Sequence, residues 1–191
     1  ITPYPHAMNP PNQLPTNIIL VGFMGCGKST IGRELGKLLG YPVIDTDPLI
    51  EAKAGMPIRD IFARHGENHF RLLEAAVLQE LSAPNTQPRI ISTGGGIVTR
   101  KRNRKLLEQL GFVVWLQIST EEVLARTAKN KSRPLLQGDH PEATIRSMLA
   151  ERDPLYRQIA HCTIETSGLD AAEVACGILE SARYHFSQSP A

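Results

Sequence analysis

NIILVGFMGCGKST, running from Asn17 to Thr30, decides the fold. Its first half is a continuous apolar run, the pattern of a strand buried on both faces. Gly22 to Ser29 then spell G-x-x-x-x-G-K-S. Behind them, KSTIGRELGKLL carries Ile31, Leu35, Leu38 and Leu39 at helical spacing. Strand, glycine-rich loop and amphipathic helix in that order are the setting of a phosphate-binding loop. Its glycines let backbone N–H groups turn inward around an anion, and the helix N-terminus adds partial positive charge. Lys28 is placed to reach the outer phosphates and Ser29 to offer a hydroxyl to Mg²⁺. The stretch predicts a bound nucleoside triphosphate and leaves open whether the phosphate goes to water or to another molecule.

Strand and helix patterns alternate outward from this loop. Strands are predicted in YPVIDTD, PRIISTGGG, FVVWLQIS and HCTIET. Helices are predicted in PLIEAKAG, in IRDIFARHGENHFRLLEAAVLQELS, in RNRKLLEQLG up to Gly111, and in TEEVLARTAK opened by a cap at Thr120. Further helices fall in EATIRSMLAER, PLYRQIA and DAAEVACGILESARYHF. Five apolar strands interleaved with helices predict a three-layer αβα sandwich on a five-stranded parallel sheet. The first 16 residues carry five prolines and no periodic pattern, so they read as a disordered arm. A single domain is expected over 17–186 and a flexible tail over 187–191.

Composition narrows the class. Hydrophobic residues make up 41% and charged residues 21% of the 191, ordinary for a soluble globular protein. No apolar run is long enough to cross a bilayer, and no charged-then-apolar leader opens the sequence. A soluble, cytoplasmic protein with no membrane partner is expected. A net charge of +2 gives no global reason to expect a nucleic-acid surface. The three cysteines, Cys26, Cys162 and Cys176, form no C-x-x-C, so neither a disulfide framework nor a zinc site is predicted.

Ligands of such sheets lie beyond the carboxyl ends of the strands, and polar residues gather there. Asp45 and Asp47 close the second strand. In extended chain two such side chains point the same way, and paired carboxylates repel unless a cation or a donor lies between them. A capped helix start at Asp47-Pro48 is the bland alternative. Arg71 and Glu74 share a helix face, Arg133 lies in a Gly- and Pro-rich stretch, and Arg152 lies in AERDPLYR. Glycines at Gly94, Gly95 and Gly96 allow a flat ligand to approach the backbone. The fourth strand ends without the acid of motor ATPases, and NKSR lacks the aspartate of the guanine-reading signature of GTP switches.

In their order and spacing these motifs resemble the shikimate kinase family. The resemblance rests on GFMGCGKST, DTD, TGGG, RPLL and RDPLY, and on the run Phe62, Gly66, Glu67, Phe70, Arg71, Glu74. It implies a P-loop fold like that of nucleoside-monophosphate kinases, with sheet order 2-3-1-4-5. It also implies transfer of the ATP γ-phosphoryl group to the 3-hydroxyl of shikimate, a step toward chorismate. ATP would then lie on Gly25, Cys26, Gly27, Lys28, Ser29 and Thr30, with Arg126 on the adenine. Ser29 and Asp45 would hold Mg²⁺, the latter through water. Shikimate would meet Asp47, Phe62, Phe70, Arg71, Gly94 to Gly96 and Arg152, on substrate-binding helices about 48–82. Arg133 would come from a lid about 127–141 to meet the transferring phosphate. Lys28, Asp47 and Arg133 would be the catalytic set. The small molecules ATP and shikimate are the expected partners and a monomer the expected state.

Two departures stand out. The family's adenine contact after the fifth strand falls in TSGLD, where no residue can be singled out. Cys26 replaces the usual Ser or Ala, and a thiol at a helix N-terminus near Lys28 is expected to be acidic and protected from alkylation by ATP. RKRNRK over 100–105, the His65–His69 pair and Trp115 read as a solvated helix start, surface histidines and core. The rival functions are another P-loop kinase, such as one acting on gluconate, and a non-catalytic nucleotide-binding relative.

Overall fold

The computed structural model describes residues 16–84, 87–127 and 141–188. Five strands form one parallel sheet: β1 (Asn17–Val21), β2 (Val43–Asp45), β3 (Ile90–Ser92), β4 (Gly111–Gln117) and β5 (Cys162–Glu165), in the order β2-β3-β1-β4-β5. The helices are α1 (Lys28–Leu39), α2 (Thr46–Ala54), α3 (Ile58–Leu81), α4 (Lys101–Leu110), α5 (Thr120–Thr127), α6 (Pro141–Ile159) and α7 (Ala171–Ser187). A 3-10 turn spans Ile97–Thr99.

Strand β1 is apolar throughout because both of its faces are covered. Ile18 and Leu20 pack with Ile31 and Leu35 of α1 and with Val174 and Ile178 of α7. Ile19 and Val21 face the other way, onto Val77 and Leu78 of α3, Leu107 of α4 and Tyr156 of α6. Trp115, only 2% exposed, belongs to this second core, as its strand pattern predicts. The register pairs Ile18 with Ile90 on one side and with Phe112 on the other. Parallel pairing puts all carboxyl ends on one edge, so the P-loop, Asp45, the glycine triplet and Thr166 emerge side by side.

Four local expectations change. The Ser119 hydroxyl, rather than Thr120, caps α5 by accepting from the Glu122 N–H at 3.2 Å. EATIRSMLAER and PLYRQIA form one helix that runs through Pro154. Its inward face stays continuous across the proline, with Leu149, Arg152, Tyr156 and Ile159 all buried, and that packing outweighs one lost backbone bond. Asp47 lies in the first turn of α2 rather than on a strand, because Asp45 caps that helix through the Asp47 N–H at 3.1 Å.

The long helix α3 is broken at Gly66, with φ 75° and ψ 174°. That backbone region is essentially reserved for glycine. Eight residues of unbroken helix would separate Phe62 and Phe70 by about 12 Å along the axis. The break folds them back until their ring centroids are 4.7 Å apart. Gly66→Ala therefore destabilises the protein by about 2 kcal/mol through backbone strain alone, since nothing lies within 4 Å of an added Cβ. Urea unfolding measures this, and an unchanged midpoint would contradict it.

Candidate active site

At the phosphate loop, Gly27 stands at φ 92° and turns the chain into α1. The Lys28 ammonium donates to the carbonyls of Gly22 and Phe23, both at 2.8 Å, so the cation is held at the loop's mouth. Thr30 is exposed and accepts from Arg33 at 3.3 Å. The Arg126 guanidinium donates to the Gly25 carbonyl at 3.0 Å and pairs with Glu122 at 3.2 Å. Cys26 corrects an expectation: its side chain is turned into the core and fully buried, with Sγ 3.5 Å from Lys28 Nζ. An alkylating reagent cannot reach that sulfur without opening the loop, so only the Cys26 backbone is available to a nucleotide.

The Ser29 hydroxyl donates to Asp45 Oδ2 at 2.7 Å and lies 3.3 Å from Ser92 Oγ. Three hard oxygen groups from the starts of α1 and α2 and the end of β3 fit Mg²⁺, which prefers oxygen and retains water. Asp45 does two jobs: one oxygen caps α2 and the other faces Ser29.

Beside the loop lies a second, charged pocket. Arg71 is 7% exposed. Its guanidinium pairs with Glu74 at 2.6 Å and with Glu67 at 2.9 Å, and it lies 5.3 Å from the Phe70 ring centroid. Burial works against the Arg71 cation, but Glu74 and Glu67 outweigh it and hold its pKa above the ordinary value. Arg152 is 8% exposed, sits 5.6 Å from the Phe23 ring centroid, and carries a buried Nε with no hydrogen-bond partner. Two nearly buried guanidinium groups beside an aromatic wall suit a compact carboxylate ligand.

Each glycine of the triplet makes room for a different neighbour. A Cβ at Gly94 would lie 3.0 Å from Glu74 Oε1 and 3.2 Å from Asp47 Oδ1. One at Gly96 would lie 2.2 Å from the Arg71 guanidinium. One at Gly95 would lie 3.2 Å from the Met24 amide nitrogen in the phosphate loop. The triplet thus joins the two pockets. Gly96, expected to receive a flat ligand, is instead covered by the Arg71 guanidinium.

Glu74, which the sequence offered as a helix-face neighbour of Arg71 and as part of the resembling run but with no role in the site, is buried among Arg71, Asp47 and Arg152. Burial pushes its carboxyl up to about 7; Arg71 opposes, Asp47 adds to the rise, and Arg152 opposes. Between pH about 4.5 and about 7 the folded chain keeps this proton and the unfolded chain loses it. Stability from this group therefore falls as pH rises through that window, by at most about 3 kcal/mol. Thermal melts of the parent and Glu74→Gln across it should converge toward low pH and separate toward pH 7, the parent losing ground. A constant difference would contradict the shift.

A cavity of about 340 Å³ lies between the phosphate loop and the start of α7, lined by Gly25, Thr30, Arg126, Thr166, Leu169 and Asp170 among others. The Thr166 hydroxyl donates to Gln117 O at 2.9 Å, and the Asp170 carboxylate is spent capping α7. Leu169, 45% exposed, is the side chain of TSGLD left to face a ligand there. Arg133 and nearly all of the expected lid lie outside the described residues, as does the expected arm apart from Thr16.

The bland readings also have structural counterparts. Arg100 donates to Asn68, Arg102 to Gln79 and Arg104 to the Val98 carbonyl, at 2.7, 2.6 and 2.6 Å, so the basic run ties α4 to its neighbours. The His65 and His69 rings lie 4.9 Å apart, and no cluster of three metal-ligating side chains occurs among the described residues. No described helix is long and apolar enough to cross a membrane.

A family profile described as shikimate kinase matches residues 24–183. A shikimate kinase of Halorhodospira halophila is 50% identical over 169 residues, covering 88% of this chain and 94% of that protein. One from Acinetobacter baumannii is 47% identical over 164 residues, covering 86% and 90%. The solved shikimate kinase of Acinetobacter baumannii in complex with shikimate superposes with a TM-score of 0.83 at 44% identity, covering 92% of this chain and 96% of that one. Profile, relatives and solved structure agree over most of the chain's length, and the chain belongs to the shikimate kinase family.

Proposed function

We propose that this chain transfers the γ-phosphoryl group of ATP to the 3-hydroxyl of shikimate, giving ADP and shikimate 3-phosphate on the way to chorismate and the aromatic amino acids. The observation that carries this reading is the abutment of Gly95 on Met24, which sets the arginine-lined pocket against the phosphate loop.

Phosphoryl transfer is chiefly a matter of positioning and charge neutralisation. Lys28 and the loop amides bind the outer phosphates. Ser29 and Asp45 would hold Mg²⁺, the latter through water, and the ion would supply positive charge to the phosphates. Arg71 and Arg152 grip the shikimate carboxylate, and Phe62 and Phe70 wall the ring. Glu67, 62% exposed, yields part of its hold on Arg71 to the ligand. Asp47, beside Gly94, orients the attacking hydroxyl and takes its proton. Leu169 and Arg126 flank the adenine. Arg133, from the lid, meets the transferring phosphate, and closure excludes water as a competing acceptor. The working state is a soluble cytoplasmic monomer.

A gluconate kinase shares the phosphate loop but has no evident need for two buried arginines. Coupled measurement of ADP release separates the readings. Rapid Mg²⁺-dependent turnover with shikimate and none with gluconate is expected. Turnover with gluconate alone, or ATP binding with no turnover at all, would overturn the proposal.

A further inference from the structure

Three consecutive glycines have no side chains to steer them, yet a hydrogen-bond donor at a binding site works only if its direction is set beforehand. Here the steering comes from one local backbone bond and from hydroxyl groups on other elements. The Thr46 hydroxyl, at the start of α2, accepts from the Gly94 N–H at 3.2 Å. The Tyr156 hydroxyl, from α6, donates to the Gly95 carbonyl. The Thr99 hydroxyl donates to the Gly96 carbonyl at 2.8 Å. The Gly94 carbonyl accepts from the Ile97 N–H at 3.2 Å. The N–H of Gly95, a partly buried residue beside the phosphate loop, has no hydrogen-bond partner among the described residues.

The Gly94–Gly95 plane, which carries the Gly95 N–H, is held by the Ile97 N–H on the Gly94 carbonyl, and the planes on either side of it are held by Thr46 and Tyr156. Neither residue is placed by chance. Thr46 is 1% exposed, and Tyr156 is fully buried and stacked on Trp115 with centroids 5.9 Å apart. Tyr156 also lies one helical turn after Arg152 on the same buried face, so one element supplies both a carboxylate anchor and the brace for the triplet.

We propose that Thr46 and Tyr156 are positioning residues that aim the Gly95 N–H at the acceptor substrate. The inference rests on the reading of this pocket as the shikimate site. Tyr156→Phe keeps the ring and its stacking but removes a hydroxyl that bonds Arg152 as well as Gly95, so the Thr46 variants are the discriminating arm. Thr46→Val removes the other brace, and Thr46→Ser keeps the acceptor.

Calorimetry and steady-state kinetics on the full chain give the test. Tyr156→Phe and Thr46→Val should each weaken shikimate binding and raise its KM about ten-fold, with ATP affinity within two-fold of the parent. Thr46→Ser should restore parental affinity. The double variant should lose less than the product of the two single losses, because both braces act on the same donor. Shikimate affinity within two-fold of the parent in both single variants, or an equal loss of ATP affinity, would overturn the inference while leaving the site reading intact. A parent chain that binds no shikimate would overturn both.

Discussion

Replacing Asp47 by Asn should lower kcat with shikimate about a thousand-fold while ATP affinity stays within a few-fold of the parent. A positioned general base contributes roughly 10²–10⁴-fold in rate. Asn keeps the size of Asp and loses both the charge and the ability to take a proton. The nucleotide should not notice, because Asp47 faces Gly94 and Glu74 while Asp45, two residues earlier, faces Ser29. The two carboxylates of DTD face different neighbours because the helix begins between them. A second readout follows from the same geometry. Asp47 helps to hold the Glu74 proton, so Asp47→Asn should lower the Glu74 pKa, visible by carboxyl NMR. Parental turnover, or ATP affinity lost in step with turnover, would contradict the role given to Asp47.

Arg71→Ala should weaken shikimate binding about a hundred-fold, with a smaller effect on kcat at saturating substrate. A charge-assisted pair is worth about 1.5–3 kcal/mol, more where water is excluded. Arg71 is nearly buried, and the end of its guanidinium abuts Gly96, where even a methyl group would collide. Arg71→Lys should recover little, because a point charge does not reproduce the fork. The loss has a structural side as well. Glu74, 1% exposed, loses its cation and should hold its proton more tightly, so the variant melts lower at pH 7 than at pH 5. Shikimate affinity within five-fold of the parent would remove Arg71 from the binding set.

How much of this was written in the sequence depends on the range of each interaction. The phosphate loop is contiguous, so residue types and spacing announce it. The parallel sheet is announced by uninterrupted apolar runs such as IILV, whose alternate residues serve opposite cores. Arg71 and Glu74 are three apart on a helix, so their pairing is local too. What eludes a sequence reading is either a single backbone conformation or a contact between distant segments. Gly66 sits inside a convincing helical pattern, and nothing in the residues around it announces φ 75°. Pro154 looks like a boundary, yet the buried face of α6 carries through it. The Tyr156–Gly95 bond joins residues 61 apart in the chain. The sulfur of Cys26 turns into the core, a side-chain direction that residue type and spacing do not announce.

Titration calorimetry of shikimate into the protein, with and without ADP and Mg²⁺, probes both pockets and the glycine bridge between them. One shikimate per chain should bind in both conditions, with an affinity that changes when the nucleotide is present, because Gly95 touches the phosphate loop. Absence of saturable shikimate binding in either condition would contradict the convergence of the two pockets on a single site.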